Sequence, residues 1–251
     1  MCANALGIEL KNAGLRYRDS SSATLAQLDI AFPAGQWSVV LGRSGSGKTT
    51  ILRYLAGLLD DKVDWQGELL TSDTQSLDGR IAYMAQQDLL LPWLSVIDNV
   101  CLSQRFSPPM SGNHDQEQAL SLLEAVGLAD YANSMPNQLS GGMRQRVALA
   151  RTLMQDRPVV LMDEPFSALD AVTRHKLQTL AAMLLKGKTV VLITHDPQEA
   201  VRLAEQLYVL QGTPANAQSL EVPTSAIPRD LDAQCAALQQ AILNQLERDY
   251  E

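Results

Sequence analysis

The chain has 251 residues, of which 46% are hydrophobic, and its formal net charge at pH 7 is -8. This length predicts either one large α/β domain or a core with a subdomain, and the composition is typical of a globular protein. With this net negative charge, the chain offers no basic face that would bind nucleic acid and no charge that would attract it to anionic lipid. We therefore expect no nucleic acid among its partners.

The cysteines, Cys2, Cys101 and Cys235, are widely separated and lack the spacing of metal ligands. They predict the reduced thiols of a cytosolic protein. The first eleven residues do not pair a cationic segment with an apolar core, and no apolar run is long enough to span a bilayer. We expect the chain to stay in the cytoplasm.

Alternating apolar and polar residues predict two strands near the start, over residues 8–17 and 25–32. A polar turn at residues 19–22 separates them, which indicates an antiparallel edge sheet. Tyr17 closes the first strand. Its ring could pack within the sheet or stack on a nucleotide base, and its position leaves both roles open.

Residues 42–49 read Gly-Arg-Ser-Gly-Ser-Gly-Lys-Thr and match the phosphate-binding pattern G-x-x-x-x-G-K-[ST]. The glycines let backbone N–H groups converge on a polyphosphate, whose far end Lys48 and Thr49 can reach. An apolar strand is predicted before the loop at residues 37–41, and a helix after it at residues 48–59. The positive end of that helix then faces the phosphates. The sequence therefore predicts nucleoside triphosphate binding, the alternative being a glycine-rich turn that only joins strand to helix.

Two further strands are predicted over residues 65–71 and 79–85, with turns at residues 60–61 and 76–79. Gln86 follows the second strand. A glutamine just after a strand is usually an ordinary loop residue with no catalytic or binding role. Whether Gln86 has such a role depends on the motifs that follow.

The sequence pattern from residue 95 to residue 153 is that of helices. A linker containing Pro, Gly and Ser interrupts it at residues 106–115. An amphipathic helix is predicted over residues 116–126, with Gly127 as its stop.

Ser140 is a predicted N-cap for the helix that continues through residues 147–154. Gly141 and Gly142 beside it permit another group to approach the helix N-terminus closely. This turn could be an ordinary helix start or a second anion site.

A continuous apolar strand at residues 158–162 leads into Asp163 and Glu164. Adjacent carboxylates at the end of a buried strand are costly unless they are used. Beside a phosphate-binding loop, Asp163 is suited to holding Mg²⁺ and Glu164 to polarising the attacking water. The alternative is a solvated acidic turn.

The next helix opens at residues 167–170, Ser-Ala-Leu-Asp, and continues to residue 185. A buried parallel strand is predicted at residues 189–193, and His195 follows it. Parallel sheets bind ligands along this edge, although a structural histidine is equally compatible with the position.

The last predicted elements are a helix at residues 198–206 and a strand at residues 207–212. Residues 213–224 are loop-like, and residues 227–250 predict a polar helix with four spaced apolar residues.

Five motifs in this order resemble the ATP-binding subunit of ABC transporters, and the likeness covers residues 8–212. They are the phosphate-binding loop at residues 42–49, a glutamine loop at Gln86, the signature Leu-Ser-Gly-Gly at residues 139–142, Asp163 and Glu164 with the Ser-Ala-Leu-Asp that follows at residues 167–170, and His195. A phosphate-binding loop alone would leave many NTPase families open, and the five together select this one.

The resemblance implies an α/β fold: a P-loop NTPase core with a mostly parallel sheet, an N-terminal antiparallel β subdomain and a helical signature subdomain at residues 95–153. The cassette is expected to span residues 1–212. Residues 213–251 are expected to form a short helical tail.

The resemblance also assigns roles. Thr49, Gln86 and Asp163 match the residues that arrange Mg²⁺, Glu164 matches the general base, and His195 matches the residue bonded to the γ-phosphate. Gln86 is counted with Glu164 and His195 as catalytic. The implied ATP-binding residues are Tyr17, which matches the adenine-stacking aromatic, and Gly42, Arg43, Ser44, Gly45, Ser46, Gly47, Lys48, Thr49 and Thr50.

Members of the family pair head to tail, so Ser140, Gly141 and Gly142 of one copy are expected to close over ATP held by the other. The implied partners are a second identical or paired ABC subunit, two transmembrane permease subunits and, indirectly, an extracytoplasmic solute-binding protein. The implied location is the cytoplasmic face of the inner membrane.

The branch is indicated by residues 42–45, 90–100 and 140–146, which are most similar to importers for nitrate, sulfonates, taurine or pyrimidine precursors of thiamine. Met143 departs from the Gln of many relatives without removing a group from the chemistry.

Ala85 stands where an aromatic residue often precedes the loop glutamine. This departure leaves both Gln86 and Gln87 open as the loop residue, and the spacing to Pro92 and Trp93 favours Gln86.

Three other functions are compatible with a P-loop cassette. An exporter or non-transport complex remains open. A soluble ABC ATPase acting on nucleic acid or ribosomes usually has two cassettes or a long coiled-coil insertion, which are absent here. A regulatory module that binds ATP without turnover is disfavoured by Glu164 and His195.

Overall fold

The computed structural model describes residues 5–59, 61–106 and 114–249. Cys2, the first residue of the predicted turn at residues 60–61 and most of the linker predicted at residues 106–115 lie outside the described residues. The chain forms two compact units. Unit 1 contains Met1–Ile81, Pro158–Asp163 and Lys186–Glu251, and unit 2 contains Ala82–Arg157 and Glu164–Leu185.

The strands and helices follow the order expected of an α/β protein. The strands are β1 (Ile8–Tyr17), β2 (Leu25–Phe32), β3 (Trp37–Gly42), β4 (Val63–Thr71), β5 (Ile81–Met84), β6 (Val159–Asp163), β7 (Thr189–Ile193), β8 (Gln206–Gln211) and β9 (Asn216–Leu220). The α-helices are α1 (Lys48–Leu55), α2 (Val96–Val100), α3 (His114–Ala125), α4 (Gly141–Met154), α5 (Ala171–Leu184), α6 (Pro197–Leu203) and α7 (Ala233–Arg248).

An antiparallel sheet in unit 1 has the order β2-β1-β4. Ile8 lies opposite Phe32 of β2 and Thr71 of β4, which confirms the antiparallel arrangement of the first two predicted strands. The register shifts between Lys11 and Gly14, where a side chain at Gly67 of β4 would meet backbone carbonyls at 2.5 Å. The third strand of this sheet, β4, was predicted as a strand, but its partner could not be read from local pattern.

The second sheet of unit 1 is mostly parallel, as predicted. Its strands in this unit run in the order β6-β7-β3-β8-β9, and all but β9 are parallel to their neighbours. Val39 of β3 lies opposite Leu192 of β7 and Leu207 of β8, and all three side chains are fully buried. Continuous apolar strands of this kind are typical of parallel sheets covered on both faces.

Two expectations for the C-terminal part were wrong. Residues 213–224 are not a continuous loop, because they contain β9, which pairs antiparallel with β8. The sequence of β9, Asn-Ala-Gln-Ser-Leu, has no β-branched residue, so strand pairing rather than propensity determines it. The helix predicted from residue 227 begins only at Ala233, because Asp232 caps it by accepting from Cys235 N at 2.8 Å.

Two other helices are shorter than predicted. The helix expected to reach residue 59 ends at Leu55, and Gly57 adopts a left-handed φ of 69° just beyond it. The helix expected over residues 198–206 is α6, which ends at Leu203 because the chain must extend into β8 at Gln206.

Unit 2 is predominantly helical, and α2 and α3 both pack against α4. Its apolar interior includes Val100 of α2, Leu123 of α3 and Val147 of α4, each with no exposed surface. Gly127, at a φ of 70°, ends the α3 segment as predicted. No helix in the described part of the chain combines the length and the apolar character needed to cross a membrane. The predicted division at residue 212 into cassette and tail stays a prediction.

Candidate functional site

The phosphate-binding loop predicted from the sequence joins β3 to α1 in unit 1. Gly45 and Gly47 adopt φ values of 83° and 90°, a region that other residues enter only with strain. Gly47 is the N-cap of α1 and supplies no side-chain acceptor. The first-turn N–H groups of α1 are therefore not capped by a side chain, which is the arrangement that binds an anion at a helix N-terminus.

Lys48 lies inside the loop rather than in solvent. Its Nζ donates to the carbonyl oxygens of Gly42 and Arg43, each at 2.7 Å, and the residue is 7% exposed. These two bonds hold the ammonium group within the loop, where an anion on the N–H cradle can pair with it.

Gly42 fixes where the loop leaves the sheet. A Cβ at this residue would lie 2.8 Å from the carbonyl oxygen of Leu210 and 2.7 Å from Oγ of Ser46. The backbone oxygen belongs to β8 and cannot move aside easily. Only glycine therefore allows the loop to start in this place.

Tyr17 is the last residue of β1, and the structure brings it to the first turn of α1. Its hydroxyl lies 3.1 Å from Oγ1 of Thr50, and its ring is half-buried. An aromatic ring therefore adjoins the phosphate-binding loop, as base stacking requires. This contact spans 33 residues of sequence, so the spacing of the motifs could not reveal it.

Asp163 and His195 lie along the same edge of the parallel sheet as the loop. Asp163 is the last residue of β6, is 2% exposed and pairs in register with Ile193. His195 is exposed and follows β7 by two residues. The carboxyl ends of β3, β6 and β7 thus place three of the predicted motifs at the edge where parallel sheets bind ligands.

Oxygen ligands suited to a hard cation are available at this edge of unit 1. Thr49, which carries a hydroxyl group, is the second residue of α1, and the Asp163 carboxyl group is buried at the end of β6. Among the described residues, no cluster of three His, Cys, Asp or Glu side chains could bind a metal ion by itself. Mg²⁺ is typically bound by few protein ligands, and substrate phosphates complete its coordination shell. The residues present therefore fit this ion.

Glu164, in unit 2, has an unusual backbone. Its φ is 50°, which a non-glycine residue adopts at a cost of about 1–3 kcal/mol. Its carbonyl oxygen accepts from Nε2 of Gln145 and from Oγ of Ser167, each at 3.0 Å. These bonds over-determine the strained conformation and so fix the direction in which the side chain leaves the backbone.

Gln86 is brought to the carboxylate of Glu164 within unit 2. Its Nε2 lies 3.4 Å from Oε2 of Glu164 and donates to it. Of the two candidate loop glutamines, Gln86 makes this contact. Gln86, Gly141 and Ser167 line one cleft of about 410 Å³, so the glutamine loop, the signature helix and the Ser-Ala-Leu-Asp segment meet in this unit.

Two arginines of α4 bind the segment after Gln86, and these contacts were not predicted from the sequence. Nε of Arg144 donates to Oδ2 of Asp88 at 3.0 Å. Arg151 donates to the carbonyl oxygens of Asp88 and Leu89 at 2.6 and 2.8 Å, and its burial lowers its pKa. A Met-Arg-Gln-Arg sequence after the signature glycines was the available signal for Arg144, but Asp88 lies 56 residues away along the chain, and no motif marked Arg151.

Ser140 caps α4 as predicted, accepting at Oγ from Met143 N at 3.3 Å. Ser140 and Gly141 are exposed. A Cβ at Gly142 would lie 3.2 Å from the carbonyl oxygen of Ala168, so this glycine permits close packing within unit 2. The N-terminus of a 14-residue helix is thus presented at the surface of the unit.

Comparisons with known proteins agree with these motifs. The family model described as ABC transporter matches residues 25–167. An uncharacterized ABC transporter ATP-binding protein of Haemophilus influenzae is 44% identical over 87% of this chain and 90% of that protein. An aliphatic sulfonates import ATP-binding protein of Xanthomonas axonopodis pv. citri is 42% identical over 94% of this chain and 93% of that protein.

Solved structures extend the comparison. A dimeric post-hydrolysis state of the ATP-binding cassette MJ0796, bound to ADP and Pi, is 32% identical, with a TM-score of 0.77 over 87% of this chain and all of that one. Another dimeric structure of MJ0796, described as a bacterial ABC transporter cassette, has a TM-score of 0.73 at 32% identity over 89% of this chain.

Proposed function

The chain belongs to the ABC transporter family and is an ATP-binding ATPase of that family, and we propose that it drives an importer for a small solute. Relatives named as aliphatic sulfonates import ATP-binding proteins are 42% and 40% identical over nearly the whole chain. They support sulfonates within the wider class of nitrate, sulfonates, taurine and pyrimidine precursors.

ATP is proposed to bind on unit 1, with its phosphates on residues 42–50 and its adenine on the ring of Tyr17. The uncapped N–H groups at the start of α1 and the ammonium group of Lys48 supply positive charge to the phosphates. The hydroxyl contact between Tyr17 and Thr50 supports the placement of the adenine.

Thr49, Gln86 and Asp163 are proposed to arrange Mg²⁺. The ion, when bound, neutralises charge that develops on the phosphate oxygens. The chain contributes neutral oxygens from Thr49 and Gln86 and a carboxylate from Asp163, all of which are suitable ligands for this ion or for its bound water.

Glu164 is proposed as the general base that orients and deprotonates the attacking water. The single observation that carries this assignment is the hydrogen bond that its carboxylate accepts from Gln86, while Gln145 and Ser167 hold its carbonyl oxygen. A preorganised base of this kind lowers the entropic cost of aligning the water. His195, on the ligand edge of the sheet, is proposed to donate to the γ-phosphate.

Two copies are proposed to pair head to tail, so that Ser140, Gly141 and Gly142 of one close over ATP bound to the other. ATP then supplies the charge that joins the copies, and hydrolysis removes it. Two transmembrane permease subunits would sense this closure from the cytoplasmic side of the inner membrane, and a solute-binding protein outside the cytoplasm would deliver the cargo. The exposed side chains of Leu89 and Trp93 after Gln86, 58% and 70% accessible, support a docking surface there.

Glu164→Gln tests the catalytic proposal. The substitution keeps the shape and removes the base, so phosphate release should fall at least about a hundredfold while ATP affinity stays within about threefold of wild type. Glu124→Gln, an exposed glutamate of the same unit, is the matched control and should keep wild-type turnover. An unchanged rate in Glu164→Gln would show that another group is the base.

The substrate class needs a separate experiment. Cells that lack this chain should lose uptake of radiolabelled aliphatic sulfonates and regain it with the wild-type chain but not with Glu164→Gln. Unchanged sulfonate uptake in the deletion strain would remove the substrate assignment and leave the ATPase in place.

A further inference from the structure

The side chain of Arg43 leaves the phosphate-binding loop and is bound by the C-terminal part of unit 1. Its Nη2 donates to Oγ1 of Thr213 at 2.9 Å, and its Nη1 donates to the carbonyl oxygen of Asp249 at 3.1 Å. Its Nε lies 3.4 Å from Oδ2 of Asp249. Every nitrogen of the guanidinium group therefore contacts residues that follow β8 in the chain.

Asp249 is the C-cap of α7, a position that disfavours an acidic side chain. The C-terminal end of a helix carries partial negative charge, which repels a carboxylate and attracts a cation. The side chain of Asp249 is only 8% exposed. In the part of the chain that the structure describes, its Oδ2 accepts no hydrogen bond, and Arg43 is the cation within 4 Å of it. Arg43 thus compensates both the carboxylate and the end of the helix.

The same arginine is also part of the proposed phosphate site. Its backbone carbonyl oxygen accepts from Nζ of Lys48 at 2.7 Å and from N of Ser46 at 3.2 Å. A change in how the Arg43 side chain is held would therefore move the carbonyl group that positions Lys48. The other carboxylate oxygen of Asp249 accepts from Gly212 N at 2.7 Å, which ties the helix end to the end of β8.

We infer that Asp249 is a positioning residue for ATP binding: acting through Arg43, it holds the start of the phosphate-binding loop in the shape that accepts the triphosphate. Asp249 need not touch the nucleotide, because its effect is transmitted by the Arg43 backbone to Lys48. The inference rests on the proposed placement of ATP on residues 42–50. It gives the C-terminal helix a task in nucleotide binding that no motif of the sequence indicated.

The test is a double-mutant cycle read on the KM and kcat of phosphate release. Asp249→Asn removes the charge but keeps an acceptor for Gly212, and we expect KM for ATP to rise about three- to tenfold with kcat within about twofold of wild type. Arg43→Ala should raise KM to a similar extent. The double variant should be no worse than either single variant, because all three break one interaction.

Glu247→Gln is the matched control, since it removes an exposed acidic charge from the last turn of the same helix. It should leave KM unchanged. Arg43→Lys keeps the positive charge but replaces the guanidinium fork with one ammonium group. The KM of this variant for ATP should therefore fall between those of wild type and Arg43→Ala.

Three results would overturn the inference: an unchanged KM in Asp249→Asn, additive effects in the double variant, or a loss of thermal stability without any change in KM. Lys48→Ala separates this failure from that of the proposed ATP site. If Lys48→Ala also binds ATP normally, the site itself is misplaced. If Lys48→Ala loses ATP and Asp249→Asn does not, only the role of Asp249 fails.

Discussion

Gln145 of the signature helix donates from Nε2 to the carbonyl oxygen of Glu164 at 3.0 Å. Its Oε1 accepts from Ala168 N at 2.9 Å. One buried side-chain amide therefore binds the backbone at both Glu164 and Ala168. The helix that presents the signature turn is therefore bonded directly to the backbone of the proposed base. A shift of this helix within unit 2 would change where the backbone places the side chain of Glu164.

Gln145→Leu should reduce catalysis more than binding. The change removes both hydrogen bonds and leaves the Glu164 carbonyl oxygen with fewer donors, at a cost of about 1–3 kcal/mol in the free energy of unfolding. We expect kcat to fall about tenfold and KM for ATP to stay within about twofold, as measured by steady-state phosphate release. Thr152→Val on the same helix is the control, because its hydroxyl donates to the carbonyl oxygen of Ala148 within α4. Wild-type kcat in Gln145→Leu would refute the link.

Gly42→Ala should destabilise the protein more than Gly45→Ala. Both positions have positive φ, so both substitutions carry backbone strain. Only the Cβ at Gly42 also meets a backbone oxygen at 2.8 Å, whereas nothing lies within 4 Å of the Cβ at Gly45. We expect an additional loss of about 1–3 kcal/mol for Gly42→Ala in nucleotide-free denaturant unfolding. Equal losses in the free energy of unfolding would mean that the backbone at Leu210 moves easily to make room for the added Cβ.

Lys48→Ala should weaken ATP binding itself. Its ammonium group is the buried cation of the phosphate-binding loop, and a charge-assisted hydrogen bond of about 1.5–3 kcal/mol corresponds to a loss of about ten- to a hundredfold in affinity. Titration with a fluorescent ATP analogue measures the change. Nucleotide-free thermal unfolding must be recorded beside it, because Lys48 also bonds two carbonyl groups. Unchanged affinity would contradict the assigned role.

Asp170 should stabilise α5 in a pH-dependent way. The N–H of Thr173 donates to its carboxylate at 3.0 Å, and this backbone hydrogen bond lowers the pKa of Asp170 from its usual 3.8. A lowered pKa means stability that is complete above the unfolded-state pKa and is lost as pH falls through the folded value. The difference in unfolding free energy between wild type and Asp170→Ala should thus be constant from pH 7 to about 5 and should shrink below about 4. A difference that grows on acidification would reverse the sign.

The parallel core was readable from sequence because its strands are continuous apolar runs bounded by motifs, as Thr189–Ile193 shows. The cap Ser140 was readable because a short polar residue before a helix has a local partner. Strand β9 could not be predicted from sequence, because it depends on pairing with β8 rather than on the propensity of its own residues.

The site was only partly readable. Motifs identified Gln86 and Glu164, but their contact joins residues 78 apart, and the pairing of Arg43 with Asp249 joins residues 206 apart. Glutamine and arginine have no local pattern that selects such partners, because long side chains reach whatever the fold places beside them. Contacts of this kind become visible only when the tertiary structure is known.

The most direct test of the composite ATP site is a mixing experiment by size-exclusion chromatography with ATP, using Glu164→Gln to prevent turnover. In that background Lys48→Ala disables the phosphate-binding loop and Ser140→Arg disables the signature turn, so each variant alone should remain monomeric. A mixed dimer keeps one complete site, formed by the loop of one copy and the turn of the other. We predict that mixing the two variants produces an ATP-dependent dimer, and a mixture that remains monomeric, while Glu164→Gln alone dimerises, would contradict the account.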